Sequence, residues 1–155
     1  KMKQFNVKAM LLGMMMACMT TTANAQNKET TMQDIHQKGT NLIEYLEEKH
    51  DQEIVRIEYD IVFTTKETIR ALSEDYEYQI LGFADHRVED LNLTVYKKVG
   101  TDWIEVAKDT DSDNTPMLTI KPVSTREYMI EVSVKKFKEG YSAAHYGLII
   151  CHDNP

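Results

Sequence analysis

The chain has 155 residues, with 18 Lys and Arg against 25 Asp and Glu and a formal net charge of −7. That balance argues against nucleic acid, whose phosphates require a positive surface, and against anionic membrane surfaces. It leaves cations and basic proteins as partners.

Residues 1–25 read as a secretory signal peptide: a basic start at Lys3 and Lys8, an apolar stretch over residues 9–19, and Ala23-Asn24-Ala25 as a small-x-small cleavage site. Removal would take Lys1, Lys3 and Lys8 with it, leaving 15 basic against 25 acidic residues and a formal −10. A domain of roughly 130 residues has room for a sizeable core. Cys18 allows a second reading. Met15-Met16-Ala17-Cys18 is a lipoprotein-box variant that would tether the domain to a membrane. Once residues 1–25 are gone, Cys151 is the one remaining cysteine, so stability must come from packing and not from an intrachain disulfide framework. No apolar run after Ala25 approaches the ~20 residues of a membrane span.

Residues 26–52 read as a polar leader followed by a helix from Met32 to His50. Ile35, Leu42, Ile43 and Leu46 fall on one apolar stripe, with Glu44, Glu47, Glu48 and Lys49 toward water. Gly39 would weaken that helix and move its start toward Thr40.

Residues 53–155 then change period from 3.6 to 2. Val55, Ile57, Tyr59, Ile61 and Phe63 alternate with Arg56, Glu58 and Asp60. The same alternation recurs at Tyr76, Tyr78 and Ile80, at Leu91, Leu93 and Val95, and at Tyr128, Ile130, Val132 and Val134. Shorter strands are expected at residues 68–72, 103–107, 117–120 and 145–151. Turn formers separate them at residues 73–75, 98–102, 109–116 and 138–140. About eight short, evenly spaced strands without intervening helices predict a mainly β, antiparallel β-sandwich behind an N-terminal α-helix.

Several segments then resemble the bacterial pre-peptidase C-terminal (PPC-like) domain. They are Phe83-Ala84-Asp85, the strand Asp90-Leu91-Asn92-Leu93-Thr94-Val95-Tyr96, the turn at Gly100, the acidic loop 109–114, Pro122 ahead of Ser124 to Val132, and Tyr146-Gly147-Leu148. The resemblance covers residues 78–148. It implies a jelly-roll sandwich, exported, with a non-catalytic accessory or binding role and sometimes a bound calcium. Asn92 stands where that family has a second Asp, and Arg126-Glu127 stands where Gly is common; a chain without the family's fused peptidase is the expectation.

The acidic loop is the strongest local signal. Asp109, Asp111 and Asp113, with Asp90 or Asp85 on a neighbouring strand, offer the carboxylate oxygens that calcium takes. Asn114 and Ile120 stand where an EF-hand needs Gly and Glu, so the loop is no EF-hand. The plain alternative is a solvated turn. Asp85-His86-Arg87 at a strand end is a candidate ligand cluster, against a turn cap with an Arg ion pair. Trp103, with Tyr96, Phe137 and Tyr141, offers rings to a glycan, or else covers the core. His145 and His152 fall on opposite faces of one strand and do not pair for zinc. Gly140-Tyr141-Ser142 lacks the second Gly of a nucleophile elbow. Cys151 follows Leu148-Ile149-Ile150 as a small hydrophobe would. Asn92-Leu93-Thr94 matches a glycosylation sequon on a strand. No phosphate-cradling glycine motif and no His-Glu-x-x-His occurs.

The expectation is an exported or periplasmic, non-enzymatic binding module, steadied by calcium if the acidic loop closes on an ion. Its ligand would be an extracytoplasmic protein or glycan. An envelope-complex component and a hydrolase with an unrecognised site remain as alternatives.

Overall fold

A computed structural model describes residues 32–153. The expected signal peptide, the Cys18 anchor and the polar leader lie outside the described residues. Helix α1 (Met32–His50) precedes eight strands. These are β1 (Gln52–Val62), β2 (Thr65–Leu72), β3 (Tyr78–Ala84), β4 (Val88–Val99), β5 (Asp102–Asp109), β6 (Met117–Ile120), β7 (Arg126–Phe137) and β8 (Ala144–Asp153). They make two four-stranded sheets, sheet A in the order β1-β8-β3-β6 and sheet B in the order β2-β7-β4-β5. Every pairing is antiparallel. The chain passes from one sheet to the other at every connection except β4–β5, which is jelly-roll order.

Period-2 alternation builds the space between the sheets. Ile80, Leu148 and Ile150 of sheet A meet Leu91, Leu93, Val95, Ile130 and Val132 of sheet B, each 1% exposed or less. Fully burying each such side chain is worth about 1.5–3 kcal/mol. Gly100 (φ 62) and Gly140 (φ 86) turn the chain between β4 and β5 and between β7 and β8, in the backbone region that glycine enters without strain.

Helix α1 lies on the outer face of sheet A. Its predicted stripe, Ile35, Leu42, Ile43 and Leu46, packs on Leu81, Phe83, Ile149 and Cys151, with Ile54, Ile57 and Tyr59 of β1 beside them. The helix does not begin at Thr40; it runs through Gly39. That glycine is buried because the Tyr59 side chain lies against it, where a Cβ would collide with the phenol. Tertiary contact outweighs the helix propensity lost there.

Strand β1 departs from its predicted pattern. A bulge between Ile54 and Arg56 breaks the alternation. Val55, Ile61 and Phe63 are exposed, while Ile57 and Tyr59 face the helix instead of the inter-sheet core.

Candidate functional site

Two regions gather polar and aromatic side chains: the sandwich end where β3 turns into β4, and the outer face of sheet B.

At the end, Asp85 closes β3. Its Oδ1 accepts a hydrogen bond from the Arg87 amide at 2.9 Å, the side-chain-to-backbone turn that Asp favours. Its Oδ2 accepts from the His145 amide at 2.8 Å, and its own amide donates to the His145 carbonyl at 3.1 Å. The Arg87 guanidinium then forks onto the carboxylate, Nη2 to Oδ2 at 2.6 Å and Nε to Oδ1 at 3.1 Å. Arg87 Nη2 also lies 3.3 Å from His145 Nδ1, and the Lys138 amide donates to the Arg87 carbonyl at 2.9 Å. The Asp85 side chain is only 3% exposed. Burial pushes its pKa up, but the hydrogen bonds from Arg87 and His145 outweigh burial and hold the carboxyl below its ordinary value. Asp85 and Arg87 therefore tie the β3–β4 turn to the start of β8, with both carboxylate oxygens and the Arg87 Nε and Nη2 atoms taken up in that tie.

His86 points away from the tie, is exposed, and meets Tyr141 edge to face at 5.9 Å. Beside it a shallow cavity of about 250 Å³ is lined by Asp34, Ile35, Lys38, Ala84, Asp85, His86 and Asn114. Lys38 reaches across its floor. Its Nζ donates to the Ala84 carbonyl at 3.1 Å, to Thr115 Oγ1 at 3.2 Å and to Asn114 Oδ1 at 3.5 Å. Burial lowers the Lys38 pKa, opposed by the charges of Asp113 and Asp85. Sequence reasoning passed over Lys38. Its one signal is that it is a lone cation on the Ile35–Leu42 stripe of the helix.

The acidic loop is held by its own backbone. Asp109 Oδ1 accepts from the Asp111 amide at 3.0 Å and Asp109 Oδ2 from the Met117 amide at 2.9 Å. Asp113 Oδ1 accepts from the Thr115 amide at 2.7 Å. Asp111 is exposed. The Asp90 Oδ1 and Asn92 Oδ1 atoms on β4 are buried without a hydrogen-bond partner among the described residues. No three His, Cys, Asp or Glu side chains among the described residues form a group able to hold a metal. Asp109 and Asp113 thus act as backbone caps, while Asp90 and Asp111 do not join them in such a group among the described residues.

Trp103 does not join Asp85, His86 and Arg87. It pairs with Lys98 at the far end of β4. The intervening strand is roughly 30 Å long at ~3.4 Å per residue. The Lys98 ammonium sits 5.7 Å from the Trp103 ring centre and also pairs with Glu127.

Register places the rest of that face. Glu105, Tyr96, Met129 and Ile69 form one row across β5, β4, β7 and β2, and Lys108, Thr94, Glu131 and Glu67 form the next. Helix α1 covers the outer face of sheet A; among the described residues no helix lies on that of sheet B. Even so, Thr94 is only 8% exposed and Met129 9%. Glu67 and Glu131 stand directly opposite each other, an arrangement of like charges that destabilises a strand pair. Burial and then the Glu67 charge raise the Glu131 pKa. Burial, Glu131 and Glu105 likewise raise that of Tyr96. Sequence reasoning missed Glu67 and Glu131 because their partnership exists only in the β2–β7 register.

The remaining nucleophile and ligand candidates sit elsewhere. Cys151 is fully buried between α1 and sheet A, and burial followed by the Asp153 charge pushes its thiol up to about 11. His145 and His152 lie at opposite ends of β8, on opposite faces as expected; His152 stacks on Tyr76 at 4.1 Å. Ser142 is exposed in the β7–β8 turn.

No protein-family model matches the chain, and no curated protein matches it. Among solved structures it is similar to the Yersinia pseudotuberculosis-derived mitogen, at 12% identity over 66% of this chain and 86% of that one, with a TM-score of 0.46. It is also similar to a periplasmic inhibitor of g-type lysozyme from Aeromonas hydrophila, at 7% identity over 66% of this chain and 86% of that one, with a TM-score of 0.40. These are likenesses of fold.

Proposed function

We propose that this chain is a non-catalytic, extracytoplasmic binding module. Its surface for a basic protein partner is the outer face of sheet B. The observation that carries the reading is the Glu67–Glu131 pair. Two carboxylates are held face to face by β2 and β7, with Tyr96, Met129 and Glu105 in the adjacent row and Trp103 farther along the same face. No cation is paired with either of them among the described residues. Inserting a Lys or Arg side chain between them would relieve that repulsion, and the rings and Met129 would supply apolar contact. The acidic balance of the whole chain would speed the encounter with such a partner. A protein partner is favoured over a glycan because the Lys98 ammonium already lies against the Trp103 ring.

The non-catalytic reading is supported by what the reactive groups do. Asp85, Arg87 and His145 are tied together, and burial raises the Cys151 thiol and the Tyr146 phenol (up to about 12) away from nucleophilic character at neutral pH. The test is binding of the chain to a panel of purified basic and acidic proteins, beside a Glu67→Lys, Glu131→Lys variant. At least one basic member should bind in a salt-sensitive way, and charge reversal should abolish that binding while circular dichroism stays unchanged. Binding indifferent to the reversal, or confined to acidic proteins, would remove this face from the account.

A further inference from the structure

A cleft of about 300 Å³ lies at the edge where β5 of sheet B and β6 of sheet A come together. Val106 and Ala107 form one wall. Thr119, Ile120, Lys121, Pro122 and Val123 form the other, and Lys97 and Tyr128 line its inner side. Local sequence opens it. The register of β4 with β5 skips at Val106, since Val95 pairs with Ala107 but Tyr96 with Glu105. Such a bulge bends an edge strand and re-aims its side chains.

Three features of this cleft point to one ligand class. Its walls are chiefly apolar, and Val106 and Val123 stand exposed at the rim (42% and 76%). Both charged residues lining it are lysines, and no carboxylate lines it, in a chain whose acidic residues outnumber its basic ones. Lys121 gives one hydrogen bond, to the Asp75 carbonyl at 2.9 Å, and keeps its other ammonium protons; Lys97 has no ion-pair partner among the described residues. Finally, Tyr128 lines the cleft, and its hydroxyl makes no hydrogen bond among the described residues, which leaves its proton available to a group in the cleft.

We infer that the β5–β6 cleft is a binding site for a small amphipathic carboxylate. The apolar body lies against Val106, Ala107, Ile120 and Pro122, the carboxylate lies between the Lys97 and Lys121 ammonium groups, and the Tyr128 hydroxyl donates to it. The volume, at the lower end for ligand cavities, limits the body to a short aliphatic chain or one ring. The site is independent of the sheet B face. Lys97 and Tyr128 form one cross-strand pair that points between the sheets, and Tyr96 and Met129 form the adjacent pair that points outward.

The test is an amide NMR titration of the chain with hexanoate, hexan-1-ol and hexylamine in parallel. Hexanoate should give saturable shifts centred on residues 97, 106–107, 119–123 and 128, with Kd near or below about 1 mM, as expected of so small a ligand. Hexan-1-ol should bind at least about tenfold more weakly and hexylamine more weakly still. In a Lys97→Gln, Lys121→Gln variant, hexanoate should fall to the level of hexan-1-ol. Tyr128→Phe should weaken hexanoate but not hexan-1-ol. Equal binding of hexanoate and hexylamine, or no saturable shift at these residues, overturns the assignment whether or not the variants fold.

Discussion

Asp85 shows how a residue that reads as chemistry becomes architecture. Three adjacent polar residues at a strand end, Asp85-His86-Arg87, were nameable from sequence as a ligand cluster. The turn cap and the Arg ion pair were legible as the plain alternative, but the pair is with Asp85 itself, and its carboxylate is completed by the His145 amide, which reaches it only through the β3–β8 pairing. The ionised Asp85 is favoured in the folded state, so its carboxyl ionises at lower pH there than in the unfolded chain. Its contribution is therefore complete above the unfolded value of about 4 and is lost as pH falls through the folded value. Asp85→Asn should cost about 3 kcal/mol near neutral pH, since it leaves the buried end of Arg87 without its counter-charge. Denaturant melts from neutral to acid pH should show the parent losing stability below about pH 4 and the variant changing much less there. Equal acid profiles would mean that Asp85 does not carry this linkage. Cys151 makes the complementary case. From its apolar run it was legible as a small hydrophobe, and it is one. A thiol reagent should label it only as fast as the protein opens, and rapidly in denaturant; fast labelling of the folded chain would contradict its burial.

At the scale of elements, most of the fold was written in the period of the apolar residues. The strands around Leu91–Leu93–Val95 and Ile130–Val132 were identified with the correct inward faces, because both lie in the middle of sheet B and one side of each meets only the core. Strand β1 was misassigned in detail for a physical reason. It is an edge strand with a bulge, and its Ile54, Ile57 and Tyr59 answer to the helix and not to the opposite sheet. Two glycines record close approaches that no pattern reveals. A Cβ at Gly147 would collide with the fully buried Phe83 ring, and one at Gly39 would collide with the Tyr59 phenol. Gly147→Ala should cost at least about 2 kcal/mol through overpacking, read as a lower Tm. Gly39→Ala should loosen α1 selectively: faster amide exchange in residues 32–50 with sheet B unchanged. If exchange accelerates uniformly instead, the helix is not a separately docked layer.

At the scale of the molecule, the asymmetry between the two sheets is what matters. Sheet A is covered on its outer face by α1, whose Lys38 is bonded to the β3 end and the 114–115 loop. Sheet B keeps its outer face uncovered among the described residues, with an uncompensated Glu67–Glu131 pair across it. Only a fragment of that face was visible in the sequence. Trp103 and Tyr96 were noted as rings near strand ends, but the carboxylates beside them come from strands distant in the chain. At the sandwich end, Asp85, Arg87, Asp109 and Asp113 make internal hydrogen bonds, while His86 and Asp111 stand exposed. The most direct measurement is an amide NMR footprint of a basic protein that the panel shows to bind. Perturbed signals should concentrate on residues 67, 69, 94, 96, 103, 105, 129 and 131. A footprint on α1 or on the 85–87 turn, with sheet B silent, would contradict it.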